Sequence, residues 1–342
     1  MKIAFFISNH GFGHIMRTLP VMDELIRRGH ELVLVTDQKR AEAAVQYLGR
    51  SVARIICDTD AGLIVKPGTL QIDQAATTER VRDHVAKWPE LIAMAPDADA
   101  YVVDIVPWAL WAAKEKGIPS CFMASFTWIE QYEPFLPEHL LETYRDAFKQ
   151  ADRVLYYDLV NPPTRALLGN GVKTGFVARP FHEDKVAEIR AAHKRPIVFL
   201  SLGASNSGLD FEMDVSGLPY DFISTPALHL KGDNVEVLDV LVENTQDYVK
   251  AADFCIAKAG WTTVSEMMLA GVKAGVLERK DTPEDTMIIE ELRRRGAAVA
   301  ISVSELRDMG AVLEKMSAHT WPEVRYENDC QHIADLICGS GE

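Results

Sequence analysis

Cysteine is scarce. The 342 residues hold five, Cys57, Cys121, Cys255, Cys330 and Cys338, all on or near apolar runs and none in a Cys-x-x-Cys pair. That spacing argues against a disulfide framework and a thiolate zinc site, and it suits a reducing compartment. Positive charge is also in short supply: Lys plus Arg number 36 against 50 Asp plus Glu, a formal net charge of -14. This disfavours generic binding to nucleic acid or to an anionic lipid surface. No apolar run reaches the length of a membrane span, and Met1-Lys2 leads straight into an apolar stretch and a glycine loop. The expectation is a cytoplasmic protein with no integral membrane segment and no signal peptide. Two further gaps narrow the chemistry. Gly11-x-Gly13 follows a strand pattern, but Met16 stands where a dinucleotide fingerprint needs its third glycine, and the loop at 201–208 (SLGASNSG) lacks the Lys-Ser/Thr of a P-loop. Both a nicotinamide enzyme and an ATPase are disfavoured.

What is present is an alternation of apolar strands and amphipathic helices, in a chain long enough for two domains that each bury a core. Residues 2–8, 31–36, 51–57, 100–105, 120–124 and 151–157 read as strands, with helices at 15–28, 79–95 and 107–116. The opening is therefore a βαβ unit whose strands are apolar enough for a parallel sheet covered on both faces. A second set of strands starts at 196–200 and continues near 221–224, 235–237, 253–257 and 273–277. Between the sets, residues 160–175 carry Pro162-Pro163, Gly169 and Gly171 without periodicity, and with the charged run to Lys194 they read as a linker region.

The most informative stretch is 251–271, AADFCIAKAGWTTVSEMMLAG. A short buried strand leaves the sheet through Lys258-Ala259-Gly260, where glycine permits close approach of a ligand to the backbone. Thr263 reads as the N-cap of the following helix and, with Glu266 three residues on, as a capping box. The unpaired N–H groups of a helix start carry roughly half a positive charge, and Lys258 adds a full one, so the turn is suited to a phosphate.

Lys258-Ala259-Gly260-Trp261-Thr262-Thr263 resembles the donor-binding segment of nucleotide-sugar glycosyltransferases of the GT-B fold. Two branches are closest in pattern: the enzyme that adds N-acetylglucosamine to the peptidoglycan lipid precursor, and the UDP-glycosyltransferases. The resemblance implies an α/β protein of two Rossmann-like domains with parallel sheets and a cleft between them, residues 1–180 binding the acceptor and 181–342 the donor. A last helix at about 321–337 would return to the first domain. It also implies that Gly260, Thr262 and Thr263 hold the diphosphate with Lys258, which replaces a frequent histidine, and that Glu266 takes the ribose hydroxyls. Gly203 and Ser205 would face the diphosphate from the first donor-domain loop, and residues 242–244 would seat the base. Glu284 and Asp285 stand for the polar pair set against the donor sugar, although the family's glutamine is missing.

In the first half the resemblance falls on Gly13-His14, where the UDP-glycosyltransferases carry the histidine that deprotonates the acceptor. His10, at the front of the same turn, is the weaker choice. Asp104, in Val103-Asp104-Ile105-Val106-Pro107-Trp108, matches the aspartate that pairs with that histidine; independently, a carboxylate closing an apolar strand needs a partner, and His14 is the candidate. Arg17, on the first helical turn, is either a phosphate ligand or a solvated side chain. Asp58-Thr59-Asp60 has the spelling of a metal-binding DxD. The resemblance instead implies a metal-independent enzyme with no cofactor beyond a nucleotide sugar, a UDP-sugar by the pattern. Phe126, Trp128, Tyr132 and Phe135 either shape an acceptor pocket or form core beneath a loop.

The expectation is a hexosyl- or N-acetylhexosaminyltransferase in which His14 takes the acceptor proton and Asp104 orients it. The acceptor would be a small molecule, a glycan or a lipid-linked sugar. A UDP-sugar hydrolase or epimerase on the same scaffold, and a non-catalytic sugar-nucleotide binding subunit, are the rival readings.

Overall fold

The computed structural model describes residues 1–66, 71–202, 211–226, 228–239, 244–278 and 283–339. The chain forms two compact units, Met1–Gly175 with Asn328–Glu342, and Phe176–Glu327. Among the described residues no helix is long and apolar enough to cross a membrane.

In the first unit the strands are β1 (Lys2–Ile7), β2 (Glu31–Thr36), β3 (Ala53–Ile56), β4 (Ala100–Asp104), β5 (Ser120–Ala124), β6 (Arg153–Tyr156) and β7 (Val172–Lys173). They lie side by side in the order β3-β2-β1-β4-β5-β6-β7, every pairing parallel. Continuous apolar runs such as IAFFI in β1 and AYVV in β4 are buried along their whole length, as strands covered by helices on both faces require. The chain runs outward from β1 to β3 and then returns to β4 on the other side of β1. The carboxyl ends of β1 and β4 therefore flank the point where the winding reverses, the usual place for a ligand in such sheets.

The second unit holds β8 (Ile197–Ser201), β9 (Met213–Asp214), β10 (Asp221–Ser224), β11 (Leu230–Lys231), β12 (Val235–Val237), β13 (Phe254–Lys258), β14 (Lys273–Glu278) and β15 (Ala298–Ser302). Six of them form a parallel sheet in the order β12-β10-β8-β13-β14-β15, and β11 pairs with β9 apart from it. Here the winding reverses between β8 and β13, so Ser201 and Lys258 end the two central strands. The protein is thus an α/β molecule with two Rossmann-like sheets.

Three local expectations are corrected. Residues 160–194 are not an unstructured linker: helices occupy Pro162–Leu168 and Glu183–Ala192, with β7 between them. Pro162 at the first helical position explains the start of the first, since its fixed φ suits a helix and its missing N–H would have been unpaired anyway. The helix expected from residue 79 begins five residues earlier, at Gln74, because the Asp73 side chain caps it by accepting from the Ala76 N–H. The final helix is only Cys330–Ile337, and residues 321–328, with Pro322 and no apolar period, lie outside it. That helix belongs to the first unit, where Arg28 of the helix Gly13–Arg27 end donates to Asp335 at 2.5 Å and to the Gln331 carbonyl at 3.1 Å.

Candidate functional site

The carboxyl end of β1 passes through Ser8–Phe12 before the helix Gly13–Arg27 begins, and Gly11 makes the reversal with φ +69°, a backbone most residues avoid. His14 is the second residue of that helix and Arg17 lies three positions on, so both side chains leave the same face. Asp104 closes β4 opposite Ile7 of β1. The three meet. His14 Nδ1 lies 2.8 Å from Asp104 Oδ1, and Arg17 donates Nε to Asp104 Oδ2 at 2.7 Å and Nη2 to Oδ1. Arg17 Nη1 donates to Ser125 Oγ at 2.9 Å, its Nη2 is 3.0 Å from His14 Nδ1, and its guanidinium stands 5.1 Å from the Tyr157 ring centre.

All of this is out of water: His14 is 7% exposed, Arg17 2% and Asp104 1%. Burial would push the Asp104 carboxyl up, but the charges of Arg17 and His14 and their hydrogen bonds outweigh it and hold the group below its ordinary range. Burial lowers the His14 imidazole, Asp104 opposes this, and Arg17 and Arg40 add to it; the net direction is down. Immediately after Asp104, the buried Ile105 has φ +52°, a left-handed backbone that a β-branched side chain rarely adopts and that costs on the order of 1–3 kcal/mol. This strained residue directly follows the carboxylate that the site is built on.

Arg17 is therefore not a solvated side chain. Its donors are engaged by Asp104 and Ser125 inside the unit, the signal being its i, i+3 spacing from His14. Gly13 opens the helix, two residues past the turn glycine Gly11. His10 is half-buried against Trp128, ring centres 5.3 Å apart, and desolvation first, then His14, Arg40 and Arg80, lower it to about 4. Trp128 and Tyr132 are core, stacked at 5.4 Å, whereas Phe126 also reaches the His14 ring at 5.9 Å.

The two DxD carboxylates diverge. Asp58 is half exposed, 3.6 Å from Arg80, and accepts from Asn9. Asp60 is buried, with the Ser8 and Trp128 side chains beside it but neither carboxylate oxygen closing a hydrogen bond, and burial pushes it up to about 7. Among the described residues no group of three His, Cys, Asp or Glu side chains is arranged to hold a metal.

In the second unit, β13 runs through Lys258-Ala259 into the helix Trp261–Ala270. Its N-cap is Gly260, with no side-chain cap, so Thr263 is the third helical residue and not the N-cap. The capping box read from Thr263 and Glu266 does not form. Glu266 lies instead in the interior, 4% exposed, where its Oε1 accepts from Arg179 Nη2 at 2.9 Å and Nε at 3.3 Å; Arg179 also donates to Thr245 Oγ1 at 3.0 Å. Ser265 locks the same turn, accepting from the Val177 N–H at 2.9 Å and donating to its carbonyl at 2.7 Å. Ahead of the helix start there is room, for a Cβ built on Gly260 would meet no atom within 4 Å. Lys258, Thr262 and Thr263, the strand end and the first helical turn on either side of Gly260, are half-buried.

Glu284 and Asp285 lie in the first turn of the helix Pro283–Arg294, Glu284 half-buried and Asp285 fully buried. Gly203, Ser205 and the base-seat residues 242–243 lie outside the described residues. Arg179 and Ser125 were not singled out by the sequence. Ser125 directly follows β5 on the ligand edge, a detectable signal, while Arg179 had none.

No family model matches the chain. Over 289 residues it is 23% identical to L-arabinokinase of Arabidopsis thaliana, covering 78% of this chain but only 27% of that protein. It is 25% identical over 299 residues to an uncharacterized glycosyltransferase of Methanosarcina acetivorans, covering 80% of this chain and 78% of the other. Among solved structures it resembles Arabidopsis thaliana UGT89C1, TM-score 0.67 at 14% identity over 99% of both chains, a protein also solved with UDP, with UDP-L-rhamnose and with quercetin. The kitacinnamycin glycotransferase matches with TM-score 0.65 at 20% identity, over 100% of this chain and 99% of its own. Two parallel sheets with this winding, matched from end to end by glycosyltransferase structures, give the chain the GT-B fold.

Proposed function

We propose that the protein is a glycosyltransferase that moves a sugar from a nucleotide sugar, a UDP-sugar in the first instance, to an acceptor hydroxyl without a metal ion. The observation that carries the reading is the 2.8 Å contact between His14 and Asp104 at the reversal point of the first sheet. A histidine held through Nδ1 by a buried carboxylate presents Nε2 as a base. The acceptor proton passes to Nε2 as the acceptor oxygen bonds to the anomeric carbon, and the bond from that carbon to the diphosphate breaks. Negative charge then grows on the leaving UDP. Lys258 and the N–H groups of Thr262 and Thr263 at the helix start are the groups that stabilise it.

On this reading the first unit serves the acceptor and the second the donor. The structural neighbours support a small-molecule acceptor, since UGT89C1 was solved with quercetin. Whether the sugar is a hexose or an N-acetylhexosamine depends on contacts such as those of Glu284. The test is UDP release from a panel of UDP-sugars with small phenolic and sugar acceptors, with and without EDTA. UDP release that survives chelation and disappears in His14→Ala is the expected result. Release that stops on chelation returns Asp58 and Asp60 to consideration and overturns the metal-free scheme.

A further inference from the structure

The pair formed by His14 and Asp104 has a third member. A two-residue dyad leaves the carboxylate charge to the imidazole, but here a buried guanidinium closes on the same carboxylate with two of its donors and reaches the histidine as well. We propose that Arg17 is a positioning residue that sets the state of the base: it holds both Asp104 oxygens, so that His14 rests as a neutral imidazole with its hydrogen on Nδ1 and its lone pair on Nε2. This rests on the reading of His14 as the base.

Nδ1 faces two competitors, Asp104 Oδ1 at 2.8 Å and Arg17 Nη2 at 3.0 Å. With Nδ1 bare it would accept from Nη2, but its lone pair would then confront a carboxylate oxygen at 2.8 Å. With the hydrogen on Nδ1 the shorter contact becomes a charge-assisted bond, and Nη2 directs its hydrogen to Oδ1. The second arrangement satisfies every group, and it is the one that leaves Nε2 able to take a proton.

The same geometry governs the charge. Asp104 and Arg17 together are neutral, so the imidazole faces an ion pair and not a bare carboxylate. An imidazolium would lie 3.0 Å from a guanidinium nitrogen. The charged and titratable groups around His14 are Asp104 from β4, Arg17 from its own helix, Arg40 from the helix Gln38–Leu48 and His10 from the preceding turn. The Phe126 ring, its centre 5.9 Å from that of His14, is an apolar neighbour. Arg17 cannot easily drift from this position, because Ser125 takes Nη1 and the Tyr157 ring lies 5.1 Å from the guanidinium carbon. A fixed fork of donors suits this role, and the single ammonium of lysine cannot reproduce it.

The experiment is an NMR titration of histidine-labelled protein, with the His14 signals assigned by their loss in His14→Gln. In the parent the ring nitrogen shifts should show the hydrogen on Nδ1, and the midpoint should lie below that of a free histidine. Arg17→Gln should raise the midpoint by about one pH unit or more, a tenfold change in the protonation equilibrium. The acid limb of kcat/KM should move with it. Arg17→Lys should keep the midpoint near that of the parent while lowering kcat, since it retains a charge but not the two-donor grip. Ser125→Ala frees only Nη1 and should shift the midpoint upward by less than Arg17→Gln; it carries the test if the Arg17 variants do not fold. A parent imidazole with its hydrogen on Nε2 overturns the proposal. So does a midpoint unmoved in folded Arg17→Gln, or unmoved in Ser125→Ala where that variant stands alone. The titration needs no substrate, so a protein that never releases UDP would defeat the transferase reading and leave this result standing.

Discussion

The two sheets end their central strands in different ways. At the edge of the first, four side chains from two strand ends and one helix, His14, Arg17, Asp104 and Ser125, bond to one another in a buried network. At the edge of the second, the helix Trp261–Ala270 starts without any side-chain cap and with open space before Gly260, and its buried polar contacts, Glu266 with Arg179 and Ser265 with Val177, face inward. On the function proposed above, the difference matches two tasks. Moving a proton needs one nitrogen in one state, which only a fixed set of side chains can impose. Holding a diphosphate needs several N–H donors pointing the same way, which any helix start supplies from its backbone.

Five substitutions would break or sharpen this contrast, the largest effect first. His14→Ala should cut UDP release about 10²- to 10⁴-fold while leaving UDP affinity by calorimetry nearly unchanged; affinity lost in step with turnover would merge the two tasks that the proposed function assigns to different residues. Arg179→Met removes the counter-ion of the buried Glu266, and breaking such a pair costs about 3–5 kcal/mol, visible as a lower denaturant midpoint. Glu266→Gln should cost less but also weaken UDP binding if the carboxylate meets the ribose. Unchanged affinity would leave Glu266 with a purely internal role.

Asp60 tests the first edge from the other side, since it is a buried carboxyl that lacks what Asp104 has. Its pKa is raised in the folded protein, to about 7, above the ordinary carboxylate value it regains on unfolding. A group of that kind costs the fold nothing below the unfolded pKa, and stability is lost as pH rises from about 4 to about 7. Asp60→Asn should therefore raise the melting temperature at pH 8, by the equivalent of at most about 4 kcal/mol, with the gain shrinking away toward pH 4. A gain that is the same at both pH values would mean that Asp60 has a partner after all. The smallest effect belongs to Thr263→Ala. As the third helical residue it caps nothing, so the roughly 1 kcal/mol expected for an N-cap should be absent from the unfolding curve, and any change should appear in UDP affinity alone.

Apolar runs with helical segments between them determined the strands, the parallel sheets and the places where they end, because a strand buried on both faces is encoded in its own few residues. On the same local grounds the sequence placed Gly13-His14 after the first strand, Asp104 at the end of the fourth, and a glycine-led helix start after Lys258. The phase of that helix was harder. Thr263 has the right composition for a cap, but the helix starts at Trp261 with Gly260 as its N-cap, and a three-residue change turns a cap into an interior residue. The partners of the long polar side chains were beyond local reading. Arg17 finds Asp104 from 87 positions away, and Arg179 finds Glu266 from the same separation, because burial leaves each charge only the counter-ion that folding brings to it. The same force separated Asp58 from Asp60. Adjacent spelling made them one motif, but the fold left one beside Arg80 in water and enclosed the other, and only the tertiary structure could assign them different chemistry.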